Sequence, residues 1–171
     1  MRLFFAFWPD GGARARIAEA AASLGLAEQA RRVPPENYHV TLAFVGEVAP
    51  PQLAVLQQSG GLLRGSDCTM LFRKCEYWEE PRVVAAVAEE TPAAMLELCT
   101  LLHRALALEP TLPRAHVTLA RKVMQAPVLQ AMSPFQWNAQ SVSLVRSDTS
   151  RTGSVYTVVD TWPLLDKIPK P

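Results

Sequence analysis

The chain is 171 residues long, carries a formal net charge of +1, and is 49% hydrophobic and 19% charged. That length accommodates one well-buried core, so a single domain over residues 1–171 is expected. The balance excludes a disordered or low-complexity chain, and it excludes a broad basic face that grips long nucleic acid through charge alone.

The predicted elements begin with Leu3 to Trp8, an aromatic-rich run closed by Pro9-Asp10-Gly11-Gly12 that reads as a buried strand. It is too short for a membrane span or the core of a signal peptide, which points to a cytoplasmic protein with no membrane partner. Ala13 to Arg31 reads as a helix, with Ile17, Ala20, Ala21 and Leu24 at helical spacing and Gly25 as the place where it kinks or ends early. Pro34-Pro35 breaks regular structure before a strand that starts at His39 and runs through Phe44 and Val45 to a turn at Gly46. Pro51 to Leu63 is a second predicted helix, with proline near its first turn and Gly60 and Gly61 near its end.

Cys68 to Tyr77 and Arg82 to Ala88 are predicted strands joined by a hairpin-like Glu79-Glu80-Pro81 connection. Thr91 to Leu108 has the strongest helical pattern, with Thr91 as N-cap and Pro92 at the first helical position. A strand at His116 follows. Ser141 to Arg146 and Ser154 to Asp160 read as strands around a polar loop, Ser147 to Gly153, and Pro169-Lys170-Pro171 as a frayed end. Cys68, Cys75 and Cys99 have no paired spacing, as expected for reduced cytosolic thiols. The histidines are scattered as well, so no zinc-ligand spacing is present and neither a metal nor another cofactor is expected.

The string His-Val-Thr-Leu-Ala occurs twice, at His39 to Ala43 and at His116 to Ala120, in a chain with three histidines. A β-strand sends alternate side chains to opposite faces, so each copy sets its histidine and threonine on one face and its valine and leucine on the other. The polar pair stands about 7 Å apart along the strand. A lone strand histidine is often a satisfied core residue. Duplication of the whole pentapeptide makes that reading weak, and one long-period recurrence points to two related lobes facing a shared cleft in an α+β protein. His103, in a predicted helix and without a threonine two residues on, reads as structural or surface-facing.

Two imidazoles suit a reaction that removes one proton and delivers another. In-line displacement at phosphorus sets the incoming and leaving oxygens on opposite sides, so a base and an acid facing each other from two lobes match that chemistry. The Thr41 and Thr118 hydroxyls are spaced to donate to non-bridging phosphate oxygens. His39, Thr41, His116 and Thr118 are therefore the candidate catalytic residues. Arg114, Arg121, Lys122, Arg146 and Arg151 gather near or after the second copy, some of them as ordinary surface charge. Phe7, Trp8, Tyr38, Trp78 and Tyr156 are candidates for stacking on a base.

The pair His39-Val40-Thr41-Leu42 and His116-Val117-Thr118-Leu119 resembles the double His-x-Thr signature of the 2H phosphoesterase superfamily. Within it the chain is most similar to the RNA 2′,3′-cyclic phosphodiesterases, also called 2′-5′ RNA ligases. Arg2-Leu3-Phe4-Phe5-Ala6, the run Asn37 to Val48, Ala120-Arg121, Gly153, Tyr156 and Trp162-Pro163-Leu164 carry the likeness over nearly the whole chain. It departs from that pattern at Ala115, where proline is common, and in Val83 to Val87, which lacks a tryptophan.

The resemblance implies two pseudo-symmetric antiparallel sheets with outer helices around a central cleft. It implies metal-independent hydrolysis of a nucleoside or RNA-terminal 2′,3′-cyclic phosphate to a 2′-phosphate, with 2′-5′ ligation as the reverse-type activity. His116 would be the general base and His39 the acid. Arg121 would be an additional phosphate contact, although strict alternation from His116 puts Lys122 on the site face; a strand irregularity or the long guanidinium arm would bring Arg121 round. Other substrates also fit: 2′-5′ oligoadenylate, a cyclic nucleotide, an ADP-ribose cyclic phosphate or an RNA 3′ tail. So does a non-catalytic RNA- or nucleotide-binding module. A monomer is the expected state.

Overall fold

The computed structural model describes residues 1–26, 30–111, 113–150 and 153–164, so Arg151 and the Pro169-Lys170-Pro171 end lie outside the described residues. Nine strands and three helices are described: β1 (Arg2–Phe7), α1 (Gly11–Ala22), β2 (Arg31–Arg32), β3 (Val40–Glu47), α2 (Gln52–Gly61), β4 (Cys68–Trp78), β5 (Val83–Ala88), α3 (Ala93–Ala105), β6 (His116–Arg121), β7 (Phe135–Ala139), β8 (Ser141–Ser150) and β9 (Gly153–Pro163). They form a four-stranded sheet in the order β3-β1-β8-β9 and a five-stranded sheet in the order β2-β6-β5-β4-β7, and every pairing is antiparallel. The first sheet joins the two ends of the chain and the second its middle. β2 crosses from the N-terminal part to the edge of the second sheet, so the lobes are interleaved.

One apolar cluster runs through both lobes, from Leu3, Phe5 and Phe7 of β1 to Phe72, Val84, Ala86, Val117 and Leu119 of the second sheet, with Ile17, Leu56, Met95, Leu98 and Leu102 contributed by the helices. α1 lies against β7, α2 against β8 and β9, and α3 against β3. β5 is buried along its entire length, as a central strand of small and β-branched residues between β4 and β6 should be.

Several predicted boundaries are corrected. The first helix starts at Gly11, where the Asp10 carboxylate accepts from Ala13 N at 2.7 Å, and it ends at Ala22 rather than Arg31. Gly25 takes φ 61, and Arg31-Arg32 is a strand because its backbone joins the ladder of β6. Gly46 does not end its strand: it sits inside β3 at φ 85 beside a bulge. Thr91 does not cap α3. The N-cap is Pro92 without a side-chain bond, and the Thr91 hydroxyl accepts from Ala115 N at 3.0 Å. The polar stretch Ser147 to Ser150 continues the β8–β9 ladder instead of looping, since main-chain pairing needs no apolar side chain. β7 had no predicted counterpart; its Phe135, Trp137 and Ala139 alternate into the core with Gln136 and Asn138 outside.

Candidate active site

The two copies of the pentapeptide lie on β3 and β6 and share an irregularity. Between Phe5–Ala43 and Ala6–Thr41 the β1–β3 register skips Leu42; between Val84–Ala120 and Ala85–Thr118 the β5–β6 register skips Leu119. Each copy thus carries a bulge at its leucine, and each threonine stands beside an alanine of the neighbouring strand. A bulge resets the alternation. Leu42 and Ala43 both enter the core, as do Leu119 and Ala120, and the fifth residue after each histidine returns to the cleft. Those residues are Phe44 and Arg121. Arg121 therefore joins the face of His116 and Thr118, which strict alternation assigned to Lys122.

A pocket of about 460 Å³ is lined from both sheets by His39, Thr41, Phe44, His116, Thr118 and Arg121, together with Trp78 and Tyr156. All five residues singled out from sequence meet there. Among the described residues no Asp or Glu lines it, so the local field favours an anion.

His39 is 9% exposed. Its ring stacks on Trp8 at 5.6 Å and meets Phe4 at 5.0 Å and the edge of Tyr156 at 5.3 Å. Its Nδ1 lies 2.7 Å from the Asn37 carbonyl. A carbonyl only accepts, so Nδ1 carries the hydrogen and Nε2 is left as the exchangeable position. Asn37 is itself pinned by donating from Nδ2 to Ser154 O at 2.9 Å. Burial lowers the His39 pKa to about 4; the Asn37 carbonyl opposes this, while the charges of Arg121 and His116 add to it.

His116 repeats the anchoring, with Nδ1 2.7 Å from the Arg114 carbonyl, again two residues back. Its surroundings differ. Trp78 packs on it in a T-shaped contact at 4.7 Å, and Glu76 fixes that ring by accepting from Trp78 Nε1 at 3.0 Å and from both Arg114 amino groups at 3.0 and 2.9 Å. Arg114, its Trp78 neighbour and lesser help from Lys74 hold the Glu76 carboxyl down at about 2. Burial lowers the His116 pKa too, and the charges of Arg114 and Arg121 act in the same direction.

The other predicted candidates divide cleanly. Phe7 and Tyr38 are core residues, not stacking platforms. Trp8 and Tyr156 surround His39, and Trp78 supports His116. Arg114 is tied to Glu76 and Arg146 to Asp148, while Lys122 lines an adjoining groove. His103, in the last turn of α3, has Nδ1 2.6 Å from the Glu109 carbonyl and borders a mainly apolar pocket of about 360 Å³ that Thr41, Phe44 and His116 also line. Sequence reasoning missed Asn37, Glu76 and Phe44. The signal for Phe44 was present, since it occupies in the first copy the place of Arg121 in the second. Among the described residues, no group of three or more His, Cys, Asp or Glu side chains is arranged to hold a metal, and no helix is long and apolar enough to cross a membrane.

Residues 8–88 match the family model of LigT-like phosphoesterases. Fold and paired His-x-Thr strands together define a two-histidine (2H) phosphoesterase. Two curated relatives are both RNA 2′,3′-cyclic phosphodiesterases: one from Escherichia coli, 28% identical over 95% of this chain and 96% of its own, and one from Thermus thermophilus, 30% identical over 96% of this chain and 90% of its own. The chain belongs to this family of LigT-like phosphoesterases. A crystal structure of E. coli LigT complexed with 3′-AMP superposes with a TM-score of 0.84, at 28% identity, over 95% of this chain and 97% of that one.

Proposed function

We propose that the protein hydrolyses the 2′,3′-cyclic phosphate of a nucleoside or an RNA end to a 2′-phosphate, without a metal, with 2′-5′ ligation as the reverse-type reaction. The observation that carries the reading is the matched pair of imidazoles, each with Nδ1 held by the carbonyl two residues back and Nε2 left for exchange, in one pocket that no carboxylate lines among the described residues. His116, the more solvent-accessible of the two, takes the proton of an incoming water. The water oxygen bonds to phosphorus, the P–O3′ bond breaks, and His39 delivers a proton to O3′. Thr41 and Thr118 donate hydrogen bonds to the non-bridging oxygens, and Arg121 neutralises charge there. The exposed ring of Phe44, 69% accessible, offers a platform for the base.

Incubation with 2′,3′-cyclic nucleotides in the presence of a chelator is the direct test, with a 2′-phosphate as the expected product. His39→Ala and His116→Ala should each lower kcat by roughly a hundredfold or more, the usual size of a lost general acid or base. Near-full activity in either variant sinks the mechanism. Binding without turnover in the unaltered protein assigns it instead to a recognition role.

A further inference from the structure

We propose that the groove beside the catalytic pocket is a subsite for the sugar-phosphate backbone of single-stranded RNA, receiving the phosphodiesters on the 5′ side of the terminal nucleotide. The inference rests on the reaction proposed above. A 2′,3′-cyclic phosphate is the 3′ end of its chain, so all remaining RNA continues through the 5′ oxygen of the terminal nucleotide. The next anionic group lies one nucleotide from the reacting phosphorus, and a surface that holds it must adjoin the pocket.

The groove meets this requirement. Its volume is about 630 Å³, and Pro81, Val83, Arg121, Ser154 and Tyr156 line both it and the pocket. Beyond Arg121 it adds Arg31, Arg32 and Lys122, and no Asp or Glu among the described residues, although the chain has 16 acidic residues to its 17 basic ones. Among the described residues none of these four cations pairs with a carboxylate, whereas Arg73, Lys74, Arg114 and Arg146 each do.

The local backbone holds the charges together at a cost. Arg31 stands directly opposite Arg121 in the β2–β6 ladder, a like-charge pairing that a bound polyanion relieves. Lys122 adopts φ 55, a left-handed conformation uncommon for a residue with a side chain. Gly153 has φ 143, and a Cβ there would collide with the Arg31 guanidinium, so glycine makes room for that head group at the groove wall. Val155, Tyr156 and Pro34 supply apolar surface beside the cations. Positive charge along a groove with apolar and aromatic walls is how single strands are held with little regard to sequence. Arg32 is partly occupied, donating to Ala21 O and Leu26 O at 3.2 and 3.4 Å, which leaves Arg31 and Lys122 as the cations to remove.

The test measures binding of a labelled pentanucleotide ending in a 2′-phosphate against 2′-AMP as competitor, with the full chain, over a range of salt. The pentanucleotide should bind about tenfold tighter or more, with a salt slope steeper by about 1 to 2, the value for two or three extra single-strand phosphate contacts. Arg31→Ala with Lys122→Gly, the glycine suiting the left-handed backbone, should bring the two ligands within about threefold of each other. Equal affinity in the unaltered protein, or an advantage that survives the double variant, overturns the subsite. So does an equal, Arg31- and Lys122-dependent affinity for a nucleoside diphosphate, since the groove would then read a diphosphate rather than a chain. If the double variant loses 2′-AMP as well, Lys122→Gly alone decides: a reduced ratio supports the subsite and an unchanged one overturns it. Turnover is read separately. Oligonucleotide preference without hydrolysis refutes the proposed reaction and leaves the groove standing; hydrolysis without that preference refutes the groove alone.

Discussion

An imidazole whose Nδ1–H is held by a carbonyl exchanges protons only through Nε2, and His39 and His116 are both held this way. In the proposed reaction one must be neutral and the other protonated, so kcat/KM is bounded by the two macroscopic pKa values of the pair. Burial lowers His39 to about 4 and His116 below its ordinary 6.5. A pH profile of kcat/KM should therefore be bell-shaped with both limbs below about 6.5; a basic limb above that value contradicts it. The bound phosphate anion favours the protonated imidazole, so the kcat profile should lie at higher pH than that of kcat/KM.

His39 also makes a stability prediction. Its folded pKa is lowered, so the unfolded chain takes up the proton first as pH falls below 6.5, and stability is lost until the folded state protonates near 4. The full loss is about 3 kcal/mol. Urea unfolding of His39→Ala should show a flatter dependence between pH 7 and 4.5 than the unaltered chain, and equal slopes would remove the basis of the claim. The Glu76 carboxyl, held down at about 2, acts in the separate window below 4.5, so the two contributions can be told apart.

At the scale of the element, the bulges at Leu42 and Leu119 decide which side chains the strands present. The His-x-Thr spacing was legible from period-two alternation, but the return of Phe44 and Arg121 to the cleft was not. It depends on pairing with β1 and β5, which a strand read alone does not contain. The start of β6 is set in a similar way. Ala115 is buried, and its N–H is satisfied by the Thr91 hydroxyl, an arrangement that proline at that position would make unnecessary. Thr91→Ala should cost about 1 to 2 kcal/mol by leaving the N–H unpaired. Ala115→Pro should then be less damaging in the Thr91→Ala background than in the unaltered chain, as measured by a double-mutant cycle on unfolding free energy. Additive losses would show that the hydroxyl plays no part.

At the scale of the whole molecule, the cleft lies between two sheets that share one apolar core, with β3 and β6 in direct contact and helices packed on each sheet. α2 packs on β8 and β9 through Gly60, where a Cβ would collide with the Trp162 ring. Gly60 was readable only as a helix-end residue; the close approach is a tertiary fact. Gly60→Ala should lower unfolding free energy by about 1 to 3 kcal/mol through overpacking, despite the better helix propensity of alanine. A rise in melting temperature would show that α2 can shift without loss.

By itself the sequence determined the order of the three helices and of every strand but β2 and β7, the pairing of two His-x-Thr faces and the family, because hydrophobic period and a repeated motif are local properties of the chain. Tertiary structure alone decided that Arg31 is a strand residue beside Arg121, that Thr91 ties a strand instead of capping a helix, and that His39 and His116 differ. Identical pentapeptides have identical covalent chemistry, and only their neighbours can differ: an aromatic cage around His39, and Trp78 steadied by Glu76 against His116. Proton affinity follows desolvation and nearby charge, both of which arise when distant segments meet.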